Sequence, residues 1–292
     1  MPPPRDSAVR VAVVHPDLLG TYGDGGNGVV LVERLRWRDV PAEIVEVHSG
    51  DPVPTSCDVY CLGGGEDGPE ARSALELLDG RPLNRAVENG AVVLAVCAGF
   101  QVVGREFAGA DGRPRPGLGL LDVRTRKGSG ARAVGEVVAE PVGVAGPGRG
   151  LPPLTGYENH GAVTELGAGV RPLARVRVGV GNGAGDGSEG AVSGRVVGTY
   201  LHGPVLARNP ALADLLLGWV VGGPGSYLGD GDGGGDAPGD AGDGVALAPL
   251  DDGEVEELRR ERLAAAPGLS ARRGGLMARL RQGLDGLRPS PR

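Results

Sequence analysis

Residues 91–104, AVVLAVCAGFQVVG, restrict what this chain can fold into more than any other stretch. The unbroken apolar run Val92–Val96 suits a strand covered on both faces, as in a parallel sheet. Cys97 then falls at the carboxyl end of that strand, where open α/β sheets carry their reactive groups. Ala98 and Gly99 leave room for a sharp turn, and the residues beyond begin an apolar helix. Unpaired N–H groups at a helix start favour negative charge, so this setting is expected to lower the Cys97 pKa and favour the thiolate. A buried cysteine is otherwise a small, inert apolar residue. The strand–turn–helix context makes Cys97 a candidate nucleophile instead.

The stretches around it repeat the alternation. Strands are expected at 9–14, 42–47 and 58–62, and helices at 29–37, 70–78 and 83–89. Strands and helices alternating at this spacing predict βαβ units and a doubly wound parallel sheet. After Phe107 the texture becomes β-rich, with strands expected at 118–123, 133–138, 156–163, 170–180 and 190–200, extending the same sheet in antiparallel fashion. A helix is expected at 209–221, with Asn209 as its cap and Pro210 in its first turn. The expected organisation is a short disordered start (1–8), a globular domain (9–221), a Gly- and Asp-rich linker (222–253) and a helical or weakly ordered basic tail (254–292).

Bulk composition removes several function classes. The net charge is −7 and no basic stripe interleaved with aromatics occurs, which argues against nucleic-acid binding. The three cysteines have no disulfide-framework spacing, as in reducing compartments. The amino terminus lacks an apolar leader and no run is long enough to cross a bilayer, so a cytoplasmic protein is expected. Cys57 and Cys61 lack the second ligand pair of a zinc site, and no metal is expected. The Asp-rich linker (Asp230, Asp232, Asp236, Asp240, Asp243) lacks the spacing and terminal Glu of a calcium loop.

Gly23, Gly25 and Gly28 spell G-x-G-x-x-G, with Glu46 farther on, but about eight residues separate the first glycine from the preceding strand. A dinucleotide site needs that glycine in the turn that leaves the strand, so no cofactor is expected there. Gly63, Gly64 and Gly65 close the third strand, and a backbone N–H from this loop, at Gly64, is expected to form an oxyanion hole with the N–H of Ala98. A cysteine nucleophile needs a histidine as base and acid. His202, directly after a strand in GTYLHGP, is the first candidate, and His160 in GYENHG is its rival. His15 and His48 are expected to be solvated loop residues.

Several ordered segments are similar to class I glutamine amidotransferases, in the branch that includes cobyric acid synthase, and most of all to GatD-type glutaminase subunits of lipid II isoglutaminyl synthases. They are TYGDGGN (21–27), CLGGGEDGPE (61–70), VCAGFQVVG (96–104), GLGLLDV (117–123), GYENHG (156–161) and GTYLHGPVLARNP (198–210). The resemblance runs from about 11 to 221. It implies a flavodoxin-like, mostly parallel sheet flanked by helices and extended by antiparallel strands. It also implies that Cys97 attacks the carboxamide of L-glutamine with His202 as its partner. Arg132, followed by AVGE, best matches the arginine that holds the glutamine α-carboxylate, with Arg126 as the alternative; a guanidinium suits such bidentate capture.

Two positions depart from common class I patterns. Pro204 stands where many carry a Glu that orients the histidine, so either a Cys–His dyad or a third member from elsewhere is expected. Ala98 stands where Gly is frequent, and it keeps its N–H. The resemblance further implies a heterodimer with a Mur-ligase-like (MurT-type) synthetase that uses ATP and Mg. That partner would amidate the D-glutamate α-carboxylate of lipid II, possession of which would place the pair at the inner membrane face. No cofactor is expected on this chain, and no P-loop motif occurs in it. The competing readings are a glutaminase serving a corrinoid carboxylate and a non-catalytic binding subunit.

Overall fold

A computed structural model of the protein describes residues 7–144, 150–222 and 247–265. Its first half alternates strands and helices: β1 (Val9–Val14), α1 (Gly26–Arg36), β2 (Ala42–Val47), β3 (Val59–Leu62), α2 (Asp67–Leu78), α3 (Pro82–Glu88), β4 (Val92–Val96) and α4 (Ala98–Val103). The second half is mostly strand: β5 (Glu106–Ala108), β6 (Pro114–Pro116), β7 (Val123–Lys127), β8 (Ala133–Pro141), β9 (Leu154–His160), β10 (Ala162–Leu166), β11 (Ala174–Val178), β12 (Ser188–Glu189), β13 (Ala191–Ser193) and β14 (Val196–Thr199). The helices α5 (Val205–Arg208), α6 (Pro210–Val221) and α7 (Gly253–Ala265) follow.

The central sheet has six strands in the order β13–β14–β4–β3–β1–β2. All its pairings are parallel except that of the edge strand β13. Every residue of β3, β4 and β14 is buried, the mark of strands covered on both faces. The covering helices form two packed groups, α1 with α5 and α6, and α2 with α3 and α4. The expected α/β fold with a mostly parallel sheet is the fold observed.

The chain adds β2 on one side of β1 and then returns to place β3 on the other. The connections leaving β1 and β3 therefore diverge, which opens a crevice at the carboxyl ends of the strands. Register fixes what meets there. Val14 is opposite Leu62, Leu62 opposite Ala95, and Val96 opposite Thr199. The segments that follow β1, β3, β4 and β14 thus emerge side by side.

The β-rich half departs from expectation. Only the hairpin β13–β14 joins the central sheet; the other strands form two separate four-stranded sheets, β10–β7–β5–β6 and β12–β11–β8–β9. Strand β11 alternates between more and less buried positions, a pattern suited to sheets with one solvated face. The strand expected at 118–123 is a loop up to 122, and β7 begins only at Val123. Leu118 and Leu121 are fully buried, and the Leu118 carbonyl accepts hydrogen bonds from Arg81 (2.6 Å) and Asn84 (3.0 Å) instead of a strand partner. The strand expected at 156–163 is broken at Gly161 into β9 and β10.

Residues 1–6, most of the expected linker (223–246) and the tail from 266 onward lie outside the described residues. The segment 247–265 is tied to the core by charge. The buried Arg34 guanidinium of α1 donates to both carboxylate oxygens of Asp214 (2.8 and 2.7 Å) and of Asp252 (2.7 and 2.9 Å). Arg38 donates to Asp214 (2.7 Å) and to the Ala248 carbonyl (2.7 Å). Removing Arg34 from this cluster leaves Asp252 without its counter-charge and Asp214 with Arg38 alone. Arg34→Ala should therefore destabilise the fold by about 3 kcal/mol, seen as a drop of roughly 6–12 °C in the thermal midpoint. An unchanged midpoint would show that the cluster is not a structural clasp.

Candidate active site

Cys97 sits between β4 and α4 at φ 53° and ψ −106°, a backbone conformation that non-glycine residues seldom hold and that costs about 1–3 kcal/mol. Its surroundings enforce it. The Cys97 N–H donates to Thr199 O (2.8 Å), Gln101 N–H to Cys97 O (3.1 Å) and Gly99 N–H to Gly63 O (3.0 Å). A Cβ on Gly99 would lie 2.7 Å from the Leu62 Cβ, so only glycine lets α4 start this close to β3.

The thiol does not behave as the sequence suggested. Burial pushes it up to about 12, and the Glu70 and Asp24 carboxylates add to the shift. The Ala98 N–H and the Arg132 guanidinium pull the other way. The helix end thus acts in the expected direction but loses to desolvation, because α4 is only six residues long and Cys97 is 6% exposed.

His202 follows β14, and its backbone makes two hydrogen bonds with Tyr157 of β9 (2.8 and 3.1 Å). Its Nδ1 lies 2.8 Å from Asp24 Oδ2, and both side chains are buried. Beside a carboxylate acceptor, Nδ1 carries the proton. Nε2 is left buried with no hydrogen-bond partner, so it is the nitrogen available as a base. The Tyr22 ring rests against the imidazole, with centroids 4.6 Å apart.

Gly64 lies where these groups converge. A Cβ there would stand 2.6 Å from His202 Cε1, 3.3 Å from Asp24 Oδ2 and 3.4 Å from Cys97 Cβ. The oxyanion role expected for this residue is corrected by its hydrogen bond: the Gly64 N–H donates to Asp24 Oδ2 (3.0 Å). The Ala98 N–H does lie against the sulfur.

Asp24 was not singled out from the sequence. It belongs to the glycine-rich segment after β1, whose spacing imitates a dinucleotide fingerprint. The structure uses those glycines for packing: a Cβ on Gly26 would meet Pro204 at 2.6 Å, and one on Gly28 would meet Val13 at 2.7 Å. Asn27 also accepts a hydrogen bond from the Leu206 N–H (3.0 Å). The available signal was position, since the segment leaves β1 at the same sheet edge as Cys97 and His202.

A cavity of about 230 Å³ opens beside Cys97, lined also by Glu70, Gln101, Arg126, Arg132 and His160. Arg132 donates to Asn159 through Nε (2.5 Å to Oδ1) and Nη2 (2.9 Å to O), and Asn159 in turn donates to the Tyr22 hydroxyl (2.6 Å). Arg126 is paired with Glu165 across β7 and β10 (2.9 Å). His160 stacks on Tyr200, with centroids 3.9 Å apart, and donates from Nδ1 to Ala162 O (3.1 Å). It borders the cavity with Nε2 3.7 Å from Glu158 Oε2, whereas His202 is the one hydrogen-bonded to its carboxylate. His48 is exposed, but His15 is buried, 2.9 Å from Ser73 Oγ, which corrects its expected solvated placement. Among the described residues no cluster of histidine, cysteine and carboxylate could hold a metal ion, and no helix is long and apolar enough to cross a membrane.

A cysteine at a strained elbow beside a histidine held by a carboxylate is the class of site that performs acyl transfer. Residues 10–210 match the CobB/CobQ-like glutamine amidotransferase domain, and the chain belongs to that family. It is 34% identical over 203 residues to subunit GatD of the glutamine-hydrolysing lipid II isoglutaminyl synthase of Staphylococcus aureus (strain N315), a match covering 69% of this chain and 79% of that one. The subunit of that name from Streptococcus pneumoniae (strain ATCC BAA-255 / R6) is 31% identical over 212 residues, covering 72% of this chain and 79% of the other. Cobyric acid synthase of Pelotomaculum thermopropionicum is 42% identical over 152 residues, which cover 47% of this chain and 27% of that enzyme. A crystal structure of a glutamine amidotransferase shares the fold at a TM-score of 0.50 and 22% identity, over 72% of this chain and 98% of the other.

The burial of Cys97 has a kinetic signature. Because its pKa is raised, alkylation of Cys97 by iodoacetamide should be slow near pH 7 and accelerate about tenfold per pH unit through and beyond pH 9, where an ordinary thiol has levelled off. Mass mapping of the alkylated peptide separates Cys97 from Cys57 and Cys61. A rate that levels off below about pH 8 would show a thiolate stabilised against burial.

Proposed function

We propose that this chain is the glutamine-hydrolysing subunit of a lipid II isoglutaminyl synthase. The observation that supports the reading most is the convergence of Cys97, His202 and Asp24 around Gly64, at the carboxyl ends of neighbouring parallel strands. Membership of the amidotransferase family and the two GatD relatives support the substrate and the pathway.

In the proposed mechanism, Asp24 holds the Nδ1–H of His202 and so aims Nε2 at the thiol. As Cys97 Sγ attacks the carboxamide carbon of L-glutamine, Nε2 takes the thiol proton. The charge that develops on the carboxamide oxygen is stabilised by the Ala98 N–H. Collapse of the tetrahedral adduct breaks the C–N bond, and His202 returns the proton to the leaving group, which departs as ammonia. The thioester is then hydrolysed by water that His202 deprotonates, releasing glutamate and the free thiol. Arg132 is the proposed ligand of the substrate α-carboxylate, since its charge reaches Cys97 whereas Arg126 is paired with Glu165. The ammonia passes to a Mur-ligase-like partner that activates the D-glutamate carboxylate with ATP and Mg, and that partner brings lipid II and the membrane face. A corrinoid acceptor keeps the same chemistry on this chain, and the partner that co-purifies with the native protein separates the two.

In the assembled complex, Cys97→Ala should reduce ammonia release from glutamine to background, and retained hydrolysis would sink the proposal. Asp24→Ala should lower kcat by about 10²- to 10⁴-fold, because a histidine that loses its orienting carboxylate samples unproductive tautomers. Arg132→Ala should instead raise KM for glutamine. An Asp24→Ala enzyme with ordinary kcat would leave a Cys–His dyad.

A further inference from the structure

One carboxyl group in the cavity has no assigned role. Glu70 lies in the first turn of α2, directly after the Gly63–Gly65 loop, a position where negative charge is favoured by the helix dipole. Surface acids in that position gain little and remain in water. Glu70 is instead 3% exposed, and its Oε1 is buried without a hydrogen-bond partner. It lines the same cavity as Cys97 and Arg132, and its charge is felt at Cys97 and at Tyr200.

An unpartnered buried carboxyl is costly unless a cation or donor completes it. L-Glutamine carries three polar groups: the carboxamide, the α-carboxylate and the α-ammonium. The proposed site assigns the first to Cys97 and the second to Arg132, and leaves the ammonium to be met. The other acids nearby are unsuited. Asp24 is engaged through Oδ2 by His202 and Gly64, and it does not line the cavity. Glu158 accepts the N–H groups of Val180 (2.8 Å) and Gly181 (2.9 Å). Glu66 and Asp67 are exposed, where water screens an ion pair to little value.

We propose that Glu70 is the carboxylate that receives the α-ammonium of L-glutamine, so that the cavity reads its substrate at three points: Cys97, Arg132 and Glu70. This assignment rests on the glutaminase reading above and extends it to the residue that selects an α-amino acid over a simple amide. The state of the empty cavity agrees. Burial, with a smaller contribution from Asp67, pushes the Glu70 carboxyl up to about 9, as befits a group whose counter-charge arrives with the ligand.

The test compares L-glutamine with glutaramate, which is glutamine without its α-amino group. Binding of each is measured by calorimetry in the full chain with its native partner subunit, in the Cys97→Ala background so that nothing turns over. Adding Glu70→Gln, an isosteric change, should weaken L-glutamine binding roughly 10- to 100-fold, the worth of a hydrogen bond to a charged group, and leave glutaramate binding unchanged. The intact glutaramate site shows that the variant is folded. In the enzyme with Cys97 restored, Glu70→Gln should raise KM for glutamine while kcat changes far less. Equal weakening of both ligands would make Glu70 a structural residue, and no weakening of glutamine would remove it from the site; either result overturns the assignment. If the wild-type complex releases no ammonia from glutamine, the glutaminase reading fails and this assignment falls with it.

Discussion

The site depends on one carboxylate oxygen. Asp24 Oδ2 accepts hydrogen bonds from His202 Nδ1 and from the Gly64 N–H, and so ties the ends of three strands, β1, β3 and β14, to a single point. All three groups are buried, where a charge-assisted hydrogen bond is strong and a missing partner is expensive. The Nδ1 bond also leaves Nε2 as the free nitrogen of the ring. Cys97 lies near the same point, its Cβ 3.4 Å from where a Gly64 side chain would begin. A methyl group at Gly64 could fit only by displacing the imidazole, so glycine at this position is a requirement of the cluster and not of the loop.

The rest of the fold delivers those strand ends in register. Glu189, fully buried on the hairpin side, accepts hydrogen bonds from Thr199 Oγ1 and the Tyr200 N–H (both 2.8 Å), and Thr199 Oγ1 accepts from the Leu201 N–H (3.0 Å). This fixes the backbone just before His202. On the other side, Cys97 is held by Thr199 O and by the close approach of Gly99 to Leu62. The strained φ of Cys97 persists because its neighbours have no other low-energy arrangement.

What the sequence showed, and what it hid, divides along physical lines. The elbow was legible because a β-branched run, a cysteine and two small residues are local features, and local sterics decide them. His202 was legible because a strand end can be read from periodicity. Asp24 was not, since it meets His202 across 178 positions through a topological switch that no local pattern encodes. The loop at 118–122 was misread as a strand because its leucines are buried, and apolar character reports burial before it reports strand geometry. The Cys97 pKa was misjudged for a related reason: a helix start is visible in the sequence, whereas the depth at which it sits is a property of the whole fold.

That depth changes how the proposed reaction has to proceed. A thiol pushed up to about 12 is protonated at neutral pH, so Cys97 cannot rest as a preformed thiolate awaiting substrate. Attack requires removal of the proton as the new bond forms, which makes the aim of His202 Nε2, and hence the Asp24 hydrogen bond, more important than the acidity of the thiol. The two carboxylates that raise the thiol differ in kind. Asp24 accepts two hydrogen bonds through Oδ2, while Glu70 Oε1 accepts none. With its carboxyl pushed up to about 9, Glu70 is neutral in the empty cavity at neutral pH, and the α-ammonium assigned to that place displaces its proton as it binds. The resulting ion pair carries no net charge, so on this assignment Glu70 selects the substrate and the proton of Cys97 is left to His202.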